Sequence, residues 1–274
     1  MESRDRQHGE ECYEVYAIRY ATLARSAADK FIGGDPHEAG GNLDYFVWLV
    51  RSPQRTWVVD TGFGAEAGTR RGRSFLTPPV QGLARLGVDA STVTDVIITH
   101  LHYDHVGGFE QFPQARFHLQ DAEMGYATGR HMAHRTFNHA YEVEEVVAMV
   151  REVYKGRVVF HDGDAELAPG LSVHRIGGHT MGLQSVRVRT RIGWIVLASD
   201  ASHFYANMDE ERPFPIVHDL GAMVGGWGRL RALADHPDWV VPGHDPLVMQ
   251  RYRAPSPELE GLAVRLDARP EPVR

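Results

Sequence analysis

The chain has one cysteine, Cys12, in 274 residues. No intramolecular disulfide can form, a metal site cannot draw thiolates from elsewhere in the chain, and a reducing compartment is expected. Long apolar runs are also missing, since none approaches the ~18 residues of a membrane span. The first eleven residues, Met1 to Glu11, are charged and lack the apolar core of a secretion signal. Nor is there an excess of positive charge: 29 Lys and Arg stand against 36 Asp and Glu, a formal net charge of −7. Nucleic acid, which needs a basic face, is not an expected partner. The several Gly-Gly pairs lack the Lys-Ser/Thr of a phosphate-cradling loop and read as turns. No internal repeat is visible. A soluble cytoplasmic protein with no membrane partner is the expectation.

What is present is 43% hydrophobic residues, enough for a single α/β domain over 1–274, and sixteen histidines. The informative stretch is Thr99-His100-Leu101-His102-Tyr103-Asp104-His105-Val106-Gly107-Gly108. It follows Val96-Ile97-Ile98, whose β-branched residues read as a buried strand, so the motif sits at a strand's carboxyl end. Four donors in six residues present imidazole and carboxylate, the ligands zinc takes when it keeps a position open for water. The arrangement suits two ions better than one. Gly107-Gly108 would let the backbone pass close to the ions.

This His-x-His-x-Asp-His-x-Gly-Gly run resembles the signature of the metallo-β-lactamase superfamily. The resemblance continues through Gly178-His179-Thr180, Ser199-Asp200-Ala201 and Pro242-Gly243-His244-Asp245. It implies a four-layer αββα sandwich, two β-sheet halves between helices. By resemblance, His100, His102 and His179 hold one metal, Asp104, His105 and His244 hold the other, and Asp200 bridges them. Two Zn2+ per chain are implied, with iron, cobalt and manganese left open. An Asp rather than a Cys at position 200 disfavours penicillin cleavage, and a His rather than a Glu at 102 favours hydrolytic over oxygen-reducing chemistry.

Two ions roughly 3.5 to 4 Å apart share a water and lower its pKa, and the bridging hydroxide so formed attacks a substrate carbonyl. Asp104 is the expected proton shuttle to the leaving oxygen. His-Leu-His-Tyr-Asp-His-Val-Gly-Gly, Gly-Gly-His-Thr-Met-Gly and Ser-Asp-Ala-Ser look most like the acyl-homoserine lactonase group, which implies a small lactone or ester as substrate. Tyr103 matches an aromatic that lines the lactone pocket there, and Phe63 is the other expected substrate contact. His203 stands where the group's best-known members place a Tyr that hydrogen-bonds the substrate carbonyl. It is therefore a candidate substrate-binding and catalytic residue, one whose charge would change near neutrality, with a plain loop histidine as the bland alternative. A glyoxalase II-like thioester hydrolase is the second reading. It should carry a basic helical C-terminus, whereas this chain ends acidic and Pro-rich. A nuclease or a non-enzymatic metal-binding protein comes last.

Along the rest of the chain, Tyr13 to Tyr20 reads as a strand within an N-terminal extension of about 1–43. The loop around Phe31-Ile32-Gly33-Gly34 has an apolar tip that would cover the active site or a partner subunit in a homodimer, or be plain surface. Asp44–Val50 and Thr56–Val59 form a hairpin, and Asp60 supports the metal loops without being a ligand. Residues 64–77 are a basic, mobile loop at the site mouth. A short helix spans Pro79–Leu86, and His131, His134 and His139 are solvated or capping. Tyr141–Tyr154 is a covering helix, and strands follow at 157–160, 171–176, 183–189 and, centrally, 194–198. A helix over Asp219–Ala234 is broken at Gly225-Gly226, Asp238–Val241 is the last strand, and Leu259, Leu262 and Leu266 suggest a final short helix.

Overall fold

The computed structural model describes residues 11–272, so nearly all of the charged start, Met1 to Glu11, lies outside the described residues. Two mixed sheets stand face to face. The first holds β1 (Glu14–Arg25), β2 (Gly41–Arg51), β3 (Thr56–Val59), β4 (Ser74–Phe75), β5 (Asp95–Ile97), β6 (Arg116–Gln120) and β7 (Val158–His161). The second holds β8 (Ala165–Ala168), β9 (Leu171–Arg175), β10 (Gln184–Thr190), β11 (Gly193–Ser199) and β12 (Val240–Pro242), and β13 (Ala263–Arg265) returns to the first sheet beside β1. β3, β5, β6 and β7 run parallel, so their carboxyl ends gather at one edge.

Alternation along β1 and β2 explains the layering. Val15, Ala17, Phe46, Trp48 and Val50 face the second sheet and meet Val173, Val186 and Val188, while Tyr16, Ile18, Val47 and Leu49 face Leu83, Val146 and Met149 of the outer helices. On the far side of the second sheet, Met223, Trp227 and Leu230 of the helix Leu220–Leu233 close the stack. The expected helix–sheet–sheet–helix sandwich is what forms.

Several local expectations need correcting. Glu14–Arg25 is a full strand between β2 and β13, longer than the expected Tyr13–Tyr20. Residues 64–77 hold a helix, Ala65–Arg70, and β4. The Leu220–Leu233 helix runs unbroken through Gly225-Gly226, because a Cβ on Gly226 would stand 2.6 Å from Ile176 Cγ2 and its absence permits close packing. The strand 240–242 is not the last, and in the tail the helical turn is confined to Pro257–Leu259, with β13 following where Leu262 and Leu266 suggested more helix. Phe31 at the loop tip turns into its own chain, its ring 6.0 Å from that of Phe204, with Arg212 stacked on it at 3.9 Å. Among the described residues, no helix is long and apolar enough to cross a membrane.

Candidate metal centre

Every expected ligand comes from the segment that follows a strand of one sheet or the other, Asp104 and His105 from the one-turn helix Tyr103–Val106. His100, His102, Asp104 and His105 follow β5, His179 follows β9, Asp200 follows β11 and His244 follows β12. The loops are pinned from behind. Asp60, in the left-handed region at φ 59°, accepts from Thr99 N at 2.8 Å, Thr99 Oγ1 at 2.8 Å and His105 Nδ1 at 2.7 Å. Ser199, at φ 49°, places its hydroxyl 2.9 Å from that of Thr99 and so ties the two sheets together just before Asp200. Two non-glycine residues in this strained region flank the cluster, where local strain is commonly stored. Gly107-Gly108 does a different job from the one expected. A Cβ on either would collide with backbone oxygens of Tyr103 or Thr61, so the pair allows close packing of the Asp60-Thr61-Gly62 turn instead of approaching ions.

Glu123 is the second brace. Fully buried, it accepts from Leu101 N at 3.0 Å, Tyr141 Oη at 3.0 Å, Thr180 Oγ1 at 2.5 Å and Gly182 N at 3.1 Å, joining the His100–His102 loop to the His179 loop. Burial raises its carboxyl above the usual range, and these four donors oppose that rise.

The structure brings all seven expected ligands together. One group is His100, His102, His179 and Asp200, another is Asp104, His105 and His244, and in each the candidate ligand atoms lie within 4.8 Å of one another. Asp200 stands between them. Its Oδ2 is 3.1 Å from His179 Nε2 and 3.7 Å from His100 Nε2, while its Oδ1 is 3.0 Å from His244 Nε2 and 3.2 Å from His105 Nε2. Asp104 Oδ2 lies 3.9 Å from His105 Nε2 and 4.0 Å from His244 Nε2. Backbone carbonyls fix two of the rings from outside: Ile216 O accepts from His179 Nδ1 at 2.8 Å and Asp44 O from His244 Nδ1 at 2.7 Å, leaving Nε2 for the centre.

The donor set fits metal. His102 Nδ1 faces His100 Nε2 at 3.0 Å and His179 Nε2 at 2.9 Å, a convergence of ring nitrogens that protons alone satisfy poorly. His105 Nε2 and Asp200 Oδ1 are buried and make no hydrogen bond within the protein. Burial drives His100 and His102 well below the ordinary histidine value, which keeps them neutral and able to coordinate. His105 moves the other way: burial opposes the charged ring, but Asp200, Asp60 and Asp104 together hold it up. Asp200 is held well below the carboxylate range by His203, His244 and their neighbours, despite complete burial.

The cluster opens on a cavity of about 400 Å³. Tyr103 lines it, as expected, with its hydroxyl 2.9 Å from Arg73 Nε and 3.4 Å from Tyr45 Oη. His203 lines it too. Its Nε2 sits 3.0 Å from Asp200 Oδ2, and its ring stacks on Phe214 with centroids 3.5 Å apart. Burial pushes its pKa down to about 3, which opposes the expected change of charge near neutrality. Phe63 does not reach the cavity. It is 1% exposed, stacked behind Tyr103 at 5.4 Å and edge-on to Tyr45 at 5.3 Å, so it supports those walls without touching a substrate.

Sequence reasoning missed Tyr45, Glu123, Phe214, Ile216 and the arginines 25, 71 and 73. The basic run Arg70-Arg71-Gly72-Arg73 was the one visible signal among these. His131 packs in an aromatic group with Tyr126, Phe137 and His218 that adjoins the His179 loop without contributing to the ligand cluster.

With this geometry in view, the chain belongs to the metallo-beta-lactamase superfamily, whose description matches residues 40–244. An N-acyl homoserine lactonase of a Bacillus species is 29% identical over 193 residues, 64% of this chain and 71% of that protein. The N-acyl homoserine lactonase AiiB of Agrobacterium fabrum is 28% identical over 190 residues, 63% of this chain and 68% of its own length. Among solved structures, a quorum-quenching N-acyl homoserine lactone lactonase superposes with a TM-score of 0.74 at 23% identity, covering 88% of this chain and 95% of that one. At that identity the superposition speaks to the fold.

Proposed function

We propose that this chain is a lactone-opening hydrolase that works with two zinc ions. The observation that carries the reading is the split of Asp200, one carboxylate oxygen toward each histidine group, beside a cavity large enough for a small ester. The names of the relatives point to the same substrate class. His100, His102 and His179 would hold one ion, Asp104, His105 and His244 the other, and Asp200 both. Held by these residues, zinc would supply a Lewis acid for a carbonyl oxygen and an acidic water near neutral pH.

The protein's own groups do the rest. Asp104 is 12% exposed at its side chain and lines the cavity, whereas Asp200 is almost closed off, so Asp104 is the carboxylate that can carry a proton to the departing oxygen. Tyr20 Oη donates to the Asp104 carbonyl at 2.7 Å and fixes that turn. Tyr103 and Phe214 form walls against which the acyl and ring portions lie, and His203 Nε2 stands beside Asp200 where a substrate carbonyl would approach.

Elemental analysis of the isolated protein should find two transition-metal ions per chain. A pH-stat screen of lactones, thioesters and a β-lactam should show turnover favouring lactones. A thioester preferred over every lactone, or fewer than two ions in active protein, overturns this assignment.

A further inference from the structure

Beyond its ligand cluster, the cavity is lined by Arg25, Arg71 and Arg73, in a chain whose formal net charge is −7. The cavity's other carboxylate, Asp29, is exposed and takes the Ser26 hydroxyl at 2.6 Å. The three arginines are not equivalent. Arg71 is neutralised, its Nη2 2.7 Å from Glu142 Oε1, and its guanidinium lies 4.0 Å over the Tyr103 ring. Arg73 has no ion pair among the described residues. It donates Nε to Tyr103 Oη at 2.9 Å and Nη1 to Arg71 O at 2.7 Å, and Nη2 takes no protein acceptor. Arg25, at the end of β1, also lacks an ion pair among the described residues, and its Nε is buried with no hydrogen-bond partner.

Asp29 feels the charge of Arg25 and Asp104 that of Arg73, but only from beyond ion-pair distance, and cations partly withdrawn from water without a directly paired counter-ion cost free energy that packing does not return. A purely apolar acyl chain in this cavity would strip more water from them and leave both unmatched. A carboxylate would instead meet the planar donor fork of a guanidinium, the strongest common hydrogen-bonding match for that group. The position is suitable: Arg73 grips Tyr103, the residue next to Asp104, so its guanidinium is one side chain away from the reacting centre.

We infer that Arg25 and Arg73 form an anion-recognising wall, and that the substrate is a lactone or ester bearing a second, non-reacting carboxylate. This rests on the hydrolytic reading above for the reacting group, and on the arginines alone for the charged one.

The test uses matched pairs in the zinc-loaded protein: homoserine lactone N-acylated with hexanoic or adipic acid, and with butyric or succinic acid. For at least one pair, the carboxylated member should have a kcat/KM at least about tenfold higher, chiefly through KM. Arg73→Gln and Arg25→Gln should each shrink that ratio, and the double variant should bring it within about twofold of one. In a second readout, adipate should bind more tightly than hexanoate by calorimetry, Arg25→Gln should reduce the difference, and the double variant should abolish it. Both acids offer one carboxylate to the metals, so the second reads the arginines. Ratios near one in wild type, or ratios unmoved by both substitutions, overturn the inference while leaving lactone hydrolysis intact. If no lactone is turned over, the hydrolytic reading fails, and the adipate–hexanoate comparison still decides the role of the arginines.

Discussion

The inner and outer walls of the cavity are held in different ways. Inside, His105, His179 and His244 each present Nε2 to the centre while their Nδ1 is fixed by Asp60, Ile216 O and Asp44 O, and the loops behind them are tied by Asp60, Ser199 and Glu123. Outside, Arg71 and Arg73 rest on one another and on Tyr103. The inner wall is over-determined by buried hydrogen bonds, where a lost partner leaves an uncompensated polar group. The outer wall is assembled from flexible side chains near water, where the same loss is small. Chemistry is thus fixed at the strand ends, while selectivity is free to change on the rim.

The largest effect expected from breaking this contrast is at Asp200. Asp200→Ala removes the carboxylate that faces five imidazoles and leaves His105 and His244 without their common partner. Losing one side of a buried charged set costs about 3–5 kcal/mol, equivalent to roughly 10²- to 10⁴-fold in affinity. Zinc titration with a competing chelator should show at least one ion weakened to that degree, with turnover falling in step. Retention of both ions at wild-type affinity would show that the two histidine groups bind independently.

His203 tests where the inner wall ends. It is buried like a ligand yet lines the cavity like a rim residue, and it is 3.0 Å from Asp200. His203→Ala should lower kcat/KM by roughly ten- to a thousand-fold, the range for a lost donor at a developing oxyanion, with metal content unchanged. With its pKa near 3 the imidazole stays neutral from about pH 6 to 8, so the wild-type to variant ratio should be flat across that interval. A ratio that climbs as pH falls would mean the ring is charged in the working enzyme. Loss of an ion together with activity would assign His203 to orienting Asp200.

The same contrast explains what could be read from the residues. The ligands lie in short motifs directly after strands, so local chemistry and position suffice to find them. Asp60 was legible for the same reason, since its turn closes β3. The rim was not, because Arg25, Arg73 and Tyr45 meet only through the pairing of β1 with β2 and β4, which no spacing encodes. Phe63 failed because nearness in sequence to the site does not say which way a side chain turns, and Tyr103 and Tyr45 stand in front of it. β13 was hidden by its length: three residues in a Pro-rich tail give no alternation to detect, and its pairing partner lies some 250 positions earlier. Gly225-Gly226 misled in the opposite sense, since glycine's helix penalty is only about 1 kcal/mol and Asp219 caps that helix by accepting from Ala222 N at 2.9 Å.

The smallest effect lies between the two walls, at Glu145 on the helix Val143–Tyr154. Its Oε1 is only 2.8 Å from where a Cβ on Gly107 would stand, and its Oε2 is buried without a hydrogen-bond partner. Burial first, then the nearby negative charges of Glu142 and Asp104, push its pKa from 4.5 up to about 8. The sign follows from linkage. The folded protein holds the proton more tightly than the unfolded chain, so the stability this group contributes is fully present below about pH 4.5. It declines as the pH rises and is gone above about pH 8. Glu145→Gln keeps the shape and removes the titration. The variant should be more stable than wild type at pH 8.5 by on the order of 1–3 kcal/mol, a few degrees in thermal midpoint, and the advantage should shrink steadily toward pH 5. Differential scanning calorimetry across that range measures it directly. An advantage independent of pH would mean the gain comes from the amide's own hydrogen bonds, and a destabilised variant at pH 8.5 would mean that Glu145 is charged and paired in the native protein.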